Sequence, residues 1–191
     1  EVYKLGKYLN VLMELNYVER ITPVTITNAR SKVSLYRIKD IFFRFWYRFI
    51  FPLKSEIEIG ELNRLSHNLN RDFSEHVGRI FEEIGSEAVR AMYPNLTSVG
   101  RWWGHYRNEE GNRNEVEIDI CGINEQTKEI LFGECKWQEG VNARKILGQL
   151  KEKAKRVEWN NFKRKEYYII FARSFKEKIK EKNVVLVDLE K

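Results

Sequence analysis

Residues 117–136 read EIDICGINEQTKEILFGECK: two apolar, β-prone runs joined by a polar turn, each interrupted near one end by charge. That pattern constrains the fold more than any other stretch. Side chains two apart on a strand share a face, so Glu117 projects with Asp119, and Glu134 with Lys136. If the runs pair as a hairpin, all four groups meet on one side of a sheet. Asp119 sits between Ile118 and Ile120, and Glu134 and Lys136 follow Ile130, Leu131 and Phe132, so the charges interrupt what reads as buried central strand. Burying unpaired charge is expensive. Two carboxylates ~4 Å apart repel by roughly 4 kcal/mol at an effective dielectric near 20, so such a cluster calls for a cation. Mg²⁺, or Mn²⁺ in its place, is the hard-oxygen candidate, with Lys136 sharing the charge load.

The chain has 191 residues, 42% hydrophobic and 32% charged, which suits one domain with a full core plus a smaller appendage. No segment approaches the ~20 uninterrupted apolar residues of a membrane span, and no signal peptide is evident, so no membrane partner is expected. Cys121 and Cys135 fall inside predicted strands without a CxxC or disulfide framework, which points to a reducing cytoplasm. A net charge of +6 favours an acidic partner, nucleic acid being the commonest. The first residue is Glu1, and helical periodicity begins at once, as expected of a fragment.

Residues 4–15 carry Leu5, Tyr8, Leu9 and Leu12 at helical spacing, with Asn16 as the stop. Residues 17–25 and 32–38 then read as a β-hairpin around a polar loop at 27–31. A helix followed by such a wing is the second half of a winged helix-turn-helix, so residues 1–39 are assigned to a partial winged helix. Residues 41–51, IFFRFWYRFIF, are apolar almost all round a helix except for Arg44 and Arg48. Such a helix is expected to be buried on most sides, with Pro52 at its end. Residues 40–71 thus form a helical linker, including a second helix over 57–69.

Asp72 is placed as the cap of a longer helix striped with Phe73, Val77, Ile80, Phe81, Ile84, Ala88 and Met92. Gly78, Gly85 and Val89 lie to one side of the stripe nearest Glu82, and the glycines allow another backbone to approach, turning Glu82 to the sheet and Glu83 to water. Strands follow over 96–106, 115–121 and 129–137, with turns at NEEGN and NEQTK. A helix over 143–159 turns Ile146, Leu147, Leu150, Ala154 and Val157 inward. Then come a strand over 167–172, a helix opened by a Ser174–Glu177 capping box, and a last strand over 184–189.

This order of elements, with Gly78-Arg-Ile-Phe-Glu82 on a helix, Asp119 on a strand and Glu134-Cys-Lys136 on the next, resembles the PD-(D/E)XK nuclease superfamily. Archaeal Holliday-junction resolvases are the most similar in look. The resemblance covers roughly residues 73–190, with Ile118 standing where the name motif has proline. It implies an α/β, restriction-endonuclease-like mixed central sheet flanked by helices over residues 72–191. It also implies catalytic roles for Asp119, Glu134, Lys136 and Glu82: the first two as metal ligands, Lys136 steering water, and Glu82 as an outer carboxylate. The implied partner is DNA, double-stranded or branched. The whole chain, including the junction YRIKDIFFRFWYRFIFP, is also similar to the C-terminal part of archaeal-type P-loop ATPases. That likeness implies an upstream ATPase domain in the same polypeptide. No Gly-rich phosphate loop occurs in these residues, so they are not expected to hydrolyse ATP.

Arg101, Arg107, Arg144, Lys145 and Lys151 are the candidate DNA-contacting cations. Trp102, Trp103 and Tyr106, interleaved with Arg101, His105 and Arg107, suit DNA as well as core packing. Gln149 and Lys153 flank the apolar stripe of the 143–159 helix, and a solvated flank is the preferred reading for both. His67, His76 and His105 lack zinc-ligand spacing and are read as structural or exposed. The alternatives to a nuclease are a non-catalytic DNA-binding or regulatory module of the ATPase, and self-association into a homo-oligomer through the winged-helix half and the aromatic helix.

Overall fold

A computed structural model describes residues 2–28, 31–107 and 110–189, with side chains from Leu5 onward. It divides into two compact units, Glu1–Thr22 with Ser31–Val77, and Pro23–Arg30 with Gly78–Lys191.

In the first unit, α1 (Val2–Glu14) ends where Asn16 takes a left-handed conformation, φ 62°. The Tyr17 amide then closes back on the Leu12 carbonyl at 2.9 Å. An antiparallel pair follows, β1 (Val18–Ile21) and β2 (Leu35–Ile38), in which Glu19 faces Arg37 and accepts its guanidinium hydrogen bonds. Asp40 caps α2 (Ile41–Phe45) by accepting from the Phe43 amide at 2.9 Å. The coil continues as a π turn over Trp46–Ile50 and a 3₁₀ turn over Phe51–Leu53, which takes in Pro52, and then α3 (Lys54–Glu58). The expected uniform, mostly buried helix is corrected here. Phe49 and Leu53 are buried, but Phe42, Tyr47 and Phe51 are exposed. The change of helical pitch turns Phe49 onto Phe45, Phe73 and His76, so burial is concentrated on one edge of the coil.

Helix α4 (Asn63–Met92) is continuous for 30 residues. The boundary placed at 71/72 falls inside it, and Asp72 is not a cap: its carboxylate accepts from the neighbouring Arg71 guanidinium at 2.7 Å. The units divide instead at Val77/Gly78.

The second unit is built on a five-stranded mixed sheet in the order β3 (Ser98–Arg107), β4 (Arg113–Asn124), β5 (Glu129–Lys136), β7 (Lys165–Ala172), β9 (Val184–Val187). The first three strands are antiparallel neighbours and the last three parallel. A short parallel pair, β6 (Val141–Asn142) with β8 (Phe175–Glu177), lies apart from them. Helix α5 (Ala143–Ala154), capped by the Asn142 side chain, covers one sheet face. Leu147, Leu150, Ala154 and Val157 pack there on Ile118, Ile123, Ile130, Phe132 and Ile170. The C-terminal half of α4 covers the other face, where Phe81 and Val89 pack on Ile120, Leu131, Ile169 and Phe171.

Two expectations about this unit are corrected. The inward line of α4 runs through Phe81, Gly85 and Val89, while Phe73, Ile84 and Met92 are exposed. A Cβ on Gly85 would lie 2.9 Å from the Cys135 sulfur and 3.0 Å from Ile120, so the glycine marks the closest approach and rotates the stripe toward itself. The helix expected after Ser174 is replaced by β8, because Ser174 Oγ accepts from the Gly140 amide at 2.9 Å and the chain pairs with β6.

Candidate functional site

Strand β4 carries a bulge. Gly100 pairs with Cys121, yet Trp102 pairs with Ile118, so β4 has one residue more than β3 over this interval. Alternation breaks there: Ile118 packs with the α5 side of the core and Ile120 with the α4 side, where Cys121 and Ile123 return to the α5 side. Pairing between β4 and β5 ends at Ile120–Gly133. Beyond it the Cys135 amide has no ladder partner on β4 and donates instead to the Asp119 carboxylate, Oδ2, at 2.9 Å. The bulge and the strand separation therefore position Asp119.

Glu134 lies on the same side of β5 as Phe132, toward α5, and its side chain is 7% exposed. Lys136 Nζ donates to Glu134 Oε1 at 2.7 Å. Lys153, from α5, donates to both carboxylate oxygens, at 2.9 and 2.8 Å. Helical position alone favours a solvated flank for Lys153, and the structure turns it onto Glu134 instead. Its available signal was position: it sits next to the inward line of Leu150, Ala154 and Val157, opposite a strand with a buried glutamate. Gln149 is exposed, as expected.

The electrostatics are uneven. Burial and the Glu134 charge raise the Asp119 carboxyl above the ordinary carboxylate range, against the Cys135 hydrogen bond. Burial, then the Asp119 charge, raises Glu82 to about 7, opposed by Arg101 and Arg79. Burial alone would lower Lys136, but the Glu134 hydrogen bond and the surrounding carboxylates hold it above its usual value. Burial pushes both thiols up, Cys121 to about 12, so neither is a nucleophile at neutral pH.

Glu117 lies at the edge of this cluster: Arg101 pairs with it at 3.0 Å while lying 3.8 Å from Glu82, and the Glu117 charge adds to the rise of Glu82. Among the described residues, no three His, Cys, Asp or Glu side chains are grouped to hold a metal. A Mg²⁺ ion ordinarily takes one or two protein carboxylates and completes its shell with water and substrate oxygens, so Asp119 and Glu134 match that donor chemistry.

Of the five candidate DNA cations, Arg101 is committed to carboxylates and Lys151 pairs with Glu181 at 2.8 Å. Arg107, Arg144 and Lys145 are exposed. Trp102 and Trp103 are buried and belong to the core. His76 is buried among Phe45, Phe49 and Phe73, whereas His67 and His105 are exposed.

Fold and site together define a mixed α/β protein with a lysine-bridged carboxylate cluster where its central strands part. The chain belongs to DUF234, a family of archaeal and bacterial proteins of unknown function, whose family model matches residues 46–157. It is 31% identical over 194 residues to an uncharacterized protein of Methanocaldococcus jannaschii, covering 97% of this chain and 41% of that protein. The chain thus spans about two-fifths of that relative's length. No solved structure matches it. No helix among the described residues is long and apolar enough to cross a membrane.

Proposed function

We propose that the second unit is a nuclease-like domain that binds DNA and hydrolyses phosphodiester bonds with a divalent cation, within a protein that also carries an ATPase domain. The observation that carries this reading is the buried Glu134, hydrogen-bonded to Lys136 two residues on and repelling Asp119 where β4 and β5 separate. Sheet order and the two flanking helices support a restriction-endonuclease-like architecture.

Asp119 and Glu134 are the residues that would hold Mg²⁺ or Mn²⁺. When bound, the ion supplies positive charge for the phosphoryl oxygens and acidifies a water molecule. Asp119 is held in place by the Cys135 amide, which orients its second oxygen. Lys136, about one-third exposed, presents an ammonium that orients water and stabilises charge developing on phosphate. Glu82 is the outer carboxylate. With Glu82 ionised, mutual repulsion raises Glu82 and Asp119 above their ordinary values, and a cation joining Asp119 would relieve it.

The alternative, a non-catalytic DNA-binding or regulatory module, is favoured by one observation. Lys153 already satisfies both Glu134 oxygens, so that carboxylate is balanced without a metal.

Plasmid, branched and single-stranded DNA incubated with Mg²⁺ or Mn²⁺ separate the two. Cleavage is expected, and Asp119→Ala, Glu134→Ala and Lys136→Ala should each slow it by about 10²–10³-fold, the scale of losing one charge-stabilising group. Cleavage that persists at the wild-type rate in these variants sinks the catalytic reading; binding without cleavage favours the alternative.

A further inference from the structure

Tyr106 lies four residues beyond the buried Trp102 on β3, about 13 Å at ~3.3 Å per residue. Trp102 is opposite Ile118, next to Asp119, so the strand leads from the carboxylate cluster toward Tyr106. Unlike the tryptophans, Tyr106 is only half-buried, and the Arg156 guanidinium lies over its ring, 4.3 Å from the centroid. Both line a cleft of about 430 Å³ between the β3–β4 hairpin and the segment following α5. Lys155 and His105 line it as well, against the single carboxylate of Glu158. Lys155 pairs with Glu152 at the surface, whereas Arg156 has no carboxylate partner among the described residues.

We propose that this cleft is a subsite for an unpaired nucleotide of the DNA strand whose scissile phosphate lies at the Glu134 cluster, the base stacking on the Tyr106–Arg156 pair. The proposal rests on the nuclease reading for the strand's other end. Every base offers a π-face, and a guanidinium plane or a phenol ring accepts it without regard to sequence. Arginine adds charge for the adjoining phosphate, which Lys155 and His105 also face. The volume lies in the ~300–1,000 Å³ range that encloses one small molecule, which suits one or two unpaired nucleotides rather than a duplex. Thirteen ångströms corresponds to about four stacked nucleotides at ~3.4 Å each, so a short single-stranded flank spans both places.

Fluorescence anisotropy with a labelled oligothymidylate in EDTA tests the subsite without cleavage or bound divalent metal. The wild-type chain should bind. Tyr106→Ala and Arg156→Ala should each weaken binding about tenfold, within the range of one lost stacked base. Arg156→Lys, which keeps the charge but not the plane, should recover only part. An abasic oligonucleotide of equal length should bind more weakly than oligothymidylate and be insensitive to Tyr106→Leu. Arg156 is exposed, so its variants report on binding rather than folding. Unchanged affinity in Arg156→Ala and Tyr106→Leu, equal binding of the abasic strand, or no binding by the wild-type chain overturns the proposal. Absence of cleavage with Mg²⁺ removes the nuclease reading alone, since the stacking difference is measured without metal.

Discussion

Glu134 and Asp119 lie on adjacent strands of one sheet and repel each other, yet their surroundings are opposite. Glu134 is packed under α5 with two ammonium groups on its oxygens. Asp119 sits where the strands part, with one backbone amide as its neutral donor, and its nearest charge-sharing partner on α4 is another acid, Glu82. The difference teaches that ammonium groups bond directly to Glu134, whereas the acid on the α4 side, Glu82, meets its cation Arg101 only at 3.8 Å. On the α5 side two ammonium groups face the one carboxylate of Glu134; on the α4 side Glu82, Asp119 and Glu117 face Arg101 and Arg79, and that is where a cation or a proton gains most.

The largest effect on stability should come from breaking the balanced half. Glu134→Gln leaves two lysines facing a neutral amide. Removing one partner of a buried pair costs about 3–5 kcal/mol, and the partial exposure of both lysines reduces this to about 1–3 kcal/mol. Lys153→Ala should destabilise in the same direction by less, because Lys136 remains. Asp119→Asn should leave stability unchanged or raise it, since the amide oxygen can still accept from Cys135 while the repulsion disappears. Urea denaturation of the metal-free variants checks this; equal losses for Glu134→Gln and Asp119→Asn would show that the two halves are not different.

The next effect is on pH dependence. Glu82 is raised from its ordinary value of 4.5 to about 7, so the folded chain binds its proton more tightly than the unfolded chain does. The stability this confers is full below pH 4.5 and is lost as pH rises through 7. At ~1.4 kcal/mol per pH unit this is up to about 3 kcal/mol. Asp119, also raised, acts in the same direction. The metal-free protein should therefore lose thermal stability between about pH 5 and about pH 8, and Glu82→Gln should flatten that slope. Saturating Mg²⁺ should flatten it too, by favouring the ionised carboxylates. A slope identical in wild type and Glu82→Gln would place the proton elsewhere.

Much of this architecture is legible in sequence because it follows from period. The stripe of α5, the apolar runs of β4, β5 and β7 and the stop at Asn16 are local patterns that packing merely uses. What escapes is set by single residues acting across the fold. One extra residue in β4 flips the alternation and divides the expected four-charge face, with Lys136 and Lys153 on Glu134 and Arg101 on Glu117. Ser174 has the local chemistry of a helix cap, but the Gly140 amide claims its hydroxyl. Lys153 reads as solvated because its partner, Glu134, is 19 positions away, a pairing that helical spacing cannot report. Gly85 rotates α4 because of what lies beneath it, the Cys135 sulfur, rather than through its own propensity.

The smallest expected effect concerns Arg101, which with Arg79 opposes the rise of Glu82 and lies 3.8 Å from it. It also bridges Glu117 at 3.0 Å, and the sequence marks it equally well as a phosphate ligand. The two roles give different signs to different measurements. As a carboxylate partner, Arg101 holds Glu82 down, so Arg101→Gln should move the Glu82 carboxyl resonance to a higher midpoint in an NMR titration. Its pairs are part-exposed, so the global stability change should stay within about 1 kcal/mol. As a phosphate contact, the same substitution should lower the salt dependence of DNA binding by about one counterion. A shifted midpoint with an unchanged salt slope assigns Arg101 to the cluster; a reduced slope with an unmoved midpoint assigns it to DNA and leaves the α4 side with still less compensation than the distances suggest.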